Sequence, residues 1–504
     1  MKSFIRLLWF VIVFAFFSGY CIAQPKLPEG SIPSNISPEV RAAIDLLYSD
    51  IPEQRAIGAT QLGAMGLYAV PAVPYLADML GDEYVTPGGD DLISRPSIGE
   101  ICARSLIQIG SPSVGYLVNV LEGSNRIAIY NAIFALGEIN DPQSITPLLL
   151  RINNDDPNIR KLAIKALAKF DDSQIVDSII TKLKDKDPDV RAATVEVLAK
   201  KNDPRATLYF IDAIKDPDNF TQYLAIDALI KLNDKRAVKP LIEGLKSDNP
   251  NFRKNSALIL GTLKVAEAKQ PLINAANDPD PFVEEKILWA ISEYKDNDTA
   301  EIFISKLNSK NSMVRLAAVD GVSKLDSDKA FEPLVGLLRD DNQEIQQKVG
   351  EAISKLKNPA VNTVLIDKFK DSHEDLFVRS NSAMILGIRK CEQAKPYLIE
   401  GLSSSDINIR KSSALALGHF PDGQTTGILI QSIAKESNAE VKKSILFSLE
   451  RKNDLSSITV FIEQLNDPDT QIKEIAARAL IKITGKNFGF NIDKWKKWQS
   501  ENKK

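Results

Sequence analysis

Histidine is nearly absent from this 504-residue chain, which has only His373 and His419. Two histidines far apart cannot assemble a histidine-based metal cluster, and no nearby cysteine adds ligands. Cysteine is scarce as well: of three, Cys21 falls in a leader, leaving Cys102 and Cys391. Neither has a base beside it in sequence, so no cysteine nucleophile is expected. There is no glycine-rich phosphate loop, no Gly-x-Ser-x-Gly elbow and no dinucleotide fingerprint. A strong charge is missing too. The formal net charge is −3 and becomes −5 once Lys2 and Arg6 leave with the leader. A mildly acidic chain lacks the basic footprint of a nucleic-acid binder. No catalytic, cofactor-binding or metal-binding residue is assigned, and no small-molecule substrate is evident.

What the chain does have is repetition. Asp187 to Lys215 reads as a helix, a turn and a second helix. Asp187-Pro188 is a start signal, an Asp cap followed by Pro at the first helical position. Val190, Thr194, Val197 and Leu198 form one apolar stripe at helical spacing. Asn202-Asp203-Pro204 breaks that helix, and Ala206, Phe210, Ile211 and Ile214 form the stripe of the next. The aliphatic residue near the end of each first helix recurs as Leu62, Leu106, Leu136, Leu167, Leu198, Leu229, Leu260, Ile291, Val322, Ile353, Leu386, Leu417, Leu449 and Leu480. From Leu136 to Ile353 every step is 31 residues. Twelve residues after each member from Leu167 to Leu449 comes an apolar pair, from Ile179-Ile180 to Phe461-Ile462. Two apolar columns in phase over this distance predict an all-α fold, an α-solenoid of about fourteen helical hairpins. Cys102 and Cys391 then lie about nine repeats apart, too far for a disulfide.

Residues 1–23 read as a signal peptide. Lys2 and Arg6 make a positive start, and Leu7 to Phe17 is an apolar run of 11 residues, too short to span a bilayer. Cleavage is expected before Gln24, giving an exported, periplasmic protein; a secreted protein, an uncleaved anchor and a lipid-anchored Cys21 are the rivals, the last disfavoured by the bulky Tyr20. Residues 24–37 read as a linker or lead-in, and 38–484 as the solenoid. An insertion at 82–96, with Gly88-Gly89 and two prolines, reads as a loop. Its acids Asp82, Glu83, Asp90 and Asp91 lack the spacing of a calcium loop; partner contact through Tyr84, Asp90 and Asp91 stands beside the plainer reading of a solvated loop. Gly137, Gly261, Gly387 and Gly418, each directly after a ladder residue, are expected to help end the first helices. Residues 485–504 depart from the repeat and read as an aromatic cap, with Trp495 and Trp498 on one helical face. The alternative is a docking surface for a partner or an anionic lipid.

Two polar columns accompany the apolar ones. Arg160, Arg191, Arg253, Arg315, Arg379 and Arg410 follow the apolar residue that opens the first helix. A cation there opposes the helix dipole and calls for a carboxylate, for which Asp156 and Asp187, four residues earlier, are suitably placed. The expected result is an Asp–Arg ladder joining neighbouring repeats. The second helices present Asp212, Glu243, Asp367, Glu400 and Glu463 just after the apolar pair, a candidate partner-binding stripe. Lys215, Lys246 and Lys370 stand three residues after the first three and would neutralise them.

The unit x-Asp-Pro-Asp-Val-Arg-x-x-Ala, at Asp187 to Ala193 and similarly at Asp156 to Ala163, resembles HEAT repeats, most closely those of phycobilisome lyases, over residues 41–484. The resemblance implies a curved superhelix whose second helices line the concave face. It is specific for architecture and weak for activity, because such repeats serve many roles. Deoxyhypusine hydroxylases resemble this architecture but use several His-Glu pairs, against the single His373-Glu374. HEAT-like DNA glycosylases are disfavoured by acidity and export. The expected function is a non-catalytic scaffold holding a protein or peptide partner. A lyase-like or cofactor-binding enzyme and an envelope-associated structural protein are the alternatives, with membrane contact possible but not favoured.

Overall fold

The computed structural model describes residues 24–85, 95–325 and 328–502; the leader, Asp90 and Asp91 lie outside the described residues. Helices follow one another from Pro38–Leu47 to Ile492–Glu501. Each of the fourteen ladder residues falls inside a first helix, from Leu62 in Pro52–Met65 to Leu480 in Thr470–Thr484. None of them is more than 2% exposed. In every apolar pair from Ile179-Ile180 to Phe461-Ile462 the first member is fully buried. The two columns are the core, and burying one such aliphatic side chain stabilises by about 1.5–3 kcal/mol.

The chain divides into two compact units, residues 1–240 and 241–504. Within the first, the first helices Pro52–Met65, Ile98–Ile109, Arg126–Ile139, Pro157–Leu167, Pro188–Lys201 and Asn219–Leu232 pack each on the next. Within the second, the same holds from Pro250–Leu263 through Pro281–Ser292, Ser312–Ser323, Gln343–Lys355, Leu376–Ile388, Ile407–Leu417 and Ala439–Lys452 to Thr470–Thr484.

Local chemistry sets the boundaries. An Asp or Asn caps each of eleven successive first helices: Asp156, Asp187, Asp218, Asn249, Asp280, Asn311, Asn342, Asp375, Asp406, Asn438 and Asp469 all accept from first-turn amides. Several helices end on a left-handed residue. Asn140, Asn202, Asn233 and Asn453 have φ between 45° and 56°; asparagine tolerates this region better than most side chains. The next residue, Asp141, Asp203, Asp234 or Asp454, then caps the 3₁₀ turn that opens the second helix.

Gly418 stands where its helix ends, as the C-cap of Ile407–Leu417, but the other three glycines do another job than the one expected of them. Gly137, Gly261 and Gly387 lie inside their helices, and Gly418 has an ordinary helical φ of −63°. A Cβ on Gly261 would stand 2.6 Å from Ala290 Cβ, and one on Gly387 2.5 Å from Ala416 Cα. They are points where adjacent first helices approach too closely for a side chain. One stretch among the described residues, Pro52–Gly81, is long and apolar enough to cross a membrane. It is broken at Gly66, φ +54°, and folds as one repeat.

Both ends are closed. Residues 24–37 are no free linker. The Gln24 side chain donates to the Tyr48 carbonyl at 2.7 Å, and the amides of Lys26 and Leu27 donate to Asp78 at 3.0 and 3.1 Å. Ile32 is buried. At the other end Trp495 is fully buried, with Phe488 against its ring at 4.8 Å. Its indole donates to the Gly489 carbonyl at 2.9 Å. Gln499 ties the cap helix to Thr459 at 2.7 Å.

Gly261→Ala is expected to destabilise by about 1–3 kcal/mol through overpacking. Gly427→Ala, at a helix position with nothing within 4 Å, should be neutral or stabilise by up to about 1 kcal/mol. Urea unfolding of the two variants checks the contrast.

Candidate functional site

The arginine column forms a ladder, but not with the acids four residues earlier. Asp156 and Asp187 are occupied as helix caps. All of the arginines but Arg379 instead reach an acid 25 or 26 residues later, in the loop before the next first helix. Arg160 meets Asp185 at 2.6 Å, Arg191 meets Asp216 at 2.6 Å, Arg253 meets Asp278 at 2.6 Å, Arg315 meets Asp340 at 2.7 Å and Arg410 meets Glu436 at 2.9 Å. Lys442–Asp467, at 2.9 Å, and the buried Arg55–Asp82, at 3.1 Å, extend the pattern. Arg379 departs from it: its Nε donates to the Phe369 carbonyl at 3.1 Å.

These are relays rather than simple pairs. Arg191 Nη1 donates backward to the carbonyls of Asp185 and Lys186, while Nε and Nη2 grip Asp216. Asp216 then accepts the amide of Asp218, the cap of the next first helix. Asp185, Asp278, Asp340, Glu436 and Asp467 hold the cap residue two positions on in the same way. Burial pushes the Asp185 carboxyl up, but the hydrogen bonds from Arg160 and the Asp187 amide outweigh it, and the group sits below the ordinary carboxylate value. The same balance lowers Asp340, Glu436 and Asp467.

The second-helix acids present the opposite picture. Asp212, Glu243, Asp367, Glu400 and Glu463 are all exposed. Of the three expected neutralising pairs, Asp212–Lys215 forms, at 3.1 Å. Lys370 lies over the Tyr397 ring instead, 4.4 Å from its centroid. Among the described residues the side chains of Glu243, Asp367, Glu400 and Glu463 make no ion pair or hydrogen bond. Glu332, on the helix Phe331–Gly336, shares this state. All five belong to residues 241–504. Sequence reasoning passed over Glu332 because it stands four residues before its column, one helical turn away on the same face.

The remaining candidates are mostly occupied by the fold. The Tyr84 hydroxyl donates to Glu53 at 2.9 Å, and its carbonyl accepts the Ile98 amide. Trp495, buried under the cap, is not free to meet a partner; Trp498 is half-buried with its ring 6.5 Å from that of Trp495. Cys102 and Cys391 are buried free thiols. Burial, with the charge of Asp82, pushes the Cys102 thiol well up, so it stays protonated and unreactive. His373 is exposed. His419 is half-buried 2.7 Å from Arg451, and burial, with the nearby Arg451 and Lys390, lowers its pKa.

The model for HEAT repeats matches residues 114–179, 176–258, 238–305, 300–377 and 369–450. The chain belongs to the HEAT-repeat family. No curated protein matches its sequence. Among solved structures, Kap121p bound to Ste12p is similar, with a TM-score of 0.55 and 12% identity over 91% of this chain and 57% of that one. The karyopherin Kap121p bound to the extreme C-terminus of the phosphatase Cdc14p gives 0.53 and 13% over 86% and 56%. This HEAT-repeat chain therefore spans less than three fifths of the karyopherin chains, and at such identity the likeness shows the fold.

The ladder makes acid the weak point of the fold. Asp185, Asp340, Glu436 and Asp467 have pKa values below their unfolded ones, so they stabilise fully above the ordinary carboxylate range and lose that contribution as pH falls through that range and below it. The urea midpoint should drop between about pH 5 and pH 3. At neutral pH, Arg191→Ala leaves Asp216 buried without its partner and should cost about 3–5 kcal/mol, read as a lowered midpoint and as hydrogen exchange at the amides of residues 185–218.

Proposed function

We propose that this HEAT-repeat protein is an exported, non-catalytic scaffold that holds a protein or peptide partner through the second helices of residues 241–504, and that the partner presents a basic segment. The observation that carries this reading is the contrast between two sets of carboxylates. The ladder acids are buried and paired, whereas Glu243, Glu332, Asp367, Glu400 and Glu463 stand exposed and unpaired on the first, fourth, fifth, sixth and eighth of the eight second helices that carry the column there. Exposed acids without a partner add little to stability. They offer complementary charge to a lysine- or arginine-bearing chain, which raises on-rate and selects the partner. The karyopherin Kap121p has been solved with Ste12p, with Pho4p and with the Cdc14p C-terminus, so a solenoid of similar fold does bind protein segments. Export rests on Lys2, Arg6 and the apolar run Leu7 to Phe17, and the periplasm is the compartment this reading assigns.

Crosslinking in intact cells followed by mass spectrometry tests the proposal. A basic protein should be enriched with the wild type and lost with the triple charge reversal Asp367→Lys, Glu400→Lys, Glu463→Lys. Those changes are on the surface and should leave stability within about 0.5 kcal/mol per site. The isolated complex should weaken as salt rises. No enrichment over an unrelated solenoid, or equal capture by the triple variant, would refute the reading.

A further inference from the structure

The C-terminal cap carries a surface that closing the last repeat does not require. Residues 485–504 contain six lysines against Asp493 and Glu501, in a chain whose net charge is −3. The cap helix Ile492–Glu501 buries Trp495. At about 100° per residue, Lys494 and Lys496 stand on either side of Trp495 and Lys497 lies opposite it. All three are exposed. Lys497 comes no closer than 4.0 Å to Glu501, and the other two make no ion pair among the described residues. Lys486, just before the turn, is exposed as well.

The turn that precedes this helix sorts two phenylalanines. Gly489, φ +52°, lets the chain reverse there, and its carbonyl accepts from the Trp495 indole. Phe488 is thereby stacked edge-on against Trp495. Phe490 is turned outward and is 55% exposed. A cap that only closed a core would gain nothing from a bare phenyl ring beside a fan of exposed lysines.

We propose that this face of the cap docks the protein on an anionic lipid surface, with Phe490 entering the headgroup boundary and Lys494, Lys496 and Lys497 facing lipid phosphates. The cations of the cap are lysines alone, point charges on flexible stems rather than the fork of arginine that fits one carboxylate or phosphate bidentately. They spread over the whole outer half of the helix. That distribution matches a plane of phosphates better than a single bound group, and one aromatic ring beside them supplies the apolar part of an interfacial contact. The lysines here and the second-helix acids of the scaffold reading are changed by different variants and read with different probes, so either reading can fail alone.

The test uses residues 24–504 and sedimentation with vesicles of phosphatidylcholine alone or mixed with phosphatidylglycerol. Binding should require phosphatidylglycerol and disappear at high salt. It should fall roughly a hundredfold in Lys494→Gln, Lys496→Gln, Lys497→Gln, since each lysine near such a surface contributes about 1 kcal/mol. It should fall several-fold in Phe490→Ser. Unchanged circular dichroism and thermal midpoints confirm that the exposed substitutions leave the fold intact. Three results would overturn the proposal: no binding to either vesicle, equal binding to both, or wild-type binding by the triple lysine variant. Lipid-independent self-association that the lysine substitutions abolish would also overturn it, and would assign the face to a second copy of the chain.

Discussion

No helical hairpin in this chain can bury its own apolar face, and that constraint orders everything else. Each hairpin offers two columns, the ladder residue of the first helix and the leading residue of the apolar pair in the second. Both need a neighbour to leave water. The structure satisfies the constraint by bringing successive first helices into close contact, with small residues at the crossings, as at Gly261 against Ala290. Close contact in turn restricts what else those helices can carry. Their facing sides hold Ala, Ser and Gly, with buried Ser105 and Ser448 donating across to the backbone carbonyls of Ala59 and Ala414. The ends need closure for the same reason, which is why Gln24 to Ile32 folds down at one end and Trp495 at the other.

Apolar stacking alone fixes no register, because one aliphatic face slides on another at little cost. The arginine relays supply the missing directionality. A guanidinium has a fixed fork of donors. In the Arg191 relay, one side of the fork holds the loop behind and the other grips the acid ahead. The gripped acid positions the cap of the following helix. Thus the beginning of one first helix is tied to the beginning of the next through a chain of directional bonds. Since each member is largely buried, each is costly to leave unpaired.

Most of the architecture was legible because its determinants are local or strictly periodic. The stripes at Val190, Thr194, Val197 and Leu198 are buried as read, and Asn202-Asp203-Pro204 ends one helix and opens the next. The misreadings share a cause: each depended on a contact distant in sequence. Gly137, Gly261 and Gly387 look like helix stops to a local reading, yet their reason lies on the neighbouring helix. The arginine partners were sought within one turn and lie one repeat away. A signal for them existed. Arginine at 160, 191, 253 and 315 coincides with Asp185, Asp216, Asp278 and Asp340, whereas Gln222 and Glu284 coincide with Ser247 and Ser309. Arg379, whose counterpart is Ser404, is the arginine that turns to a carbonyl. Comparing repeats with one another within a single chain therefore carries information that scanning along it does not.

The same comparison separates structure from function among like residues. A carboxylate in the relay is held by its arginine and by a backbone amide, so its identity is dictated by the fold. Glu400 and Glu463 sit on equally regular helices, but the fold asks nothing of them; serine, glycine and glutamine stand at the equivalent positions 305, 336 and 431. Variation among repeats at an exposed position shows that stacking tolerates any small or polar residue there. Which repeats carry acid is then free to be set by whatever the surface meets, and in a solenoid that freedom is available once per repeat. Tyr84 and Trp495 make the converse case. Both look like surface aromatics in sequence, and both are engaged by the fold itself, one hydroxyl on Glu53 and one indole on Gly489. Binding candidates in such a chain are best sought among groups that stacking leaves without a partner, such as Glu243, Asp367, Glu400 and Glu463 on the second helices and Lys494 and Lys496 on the cap.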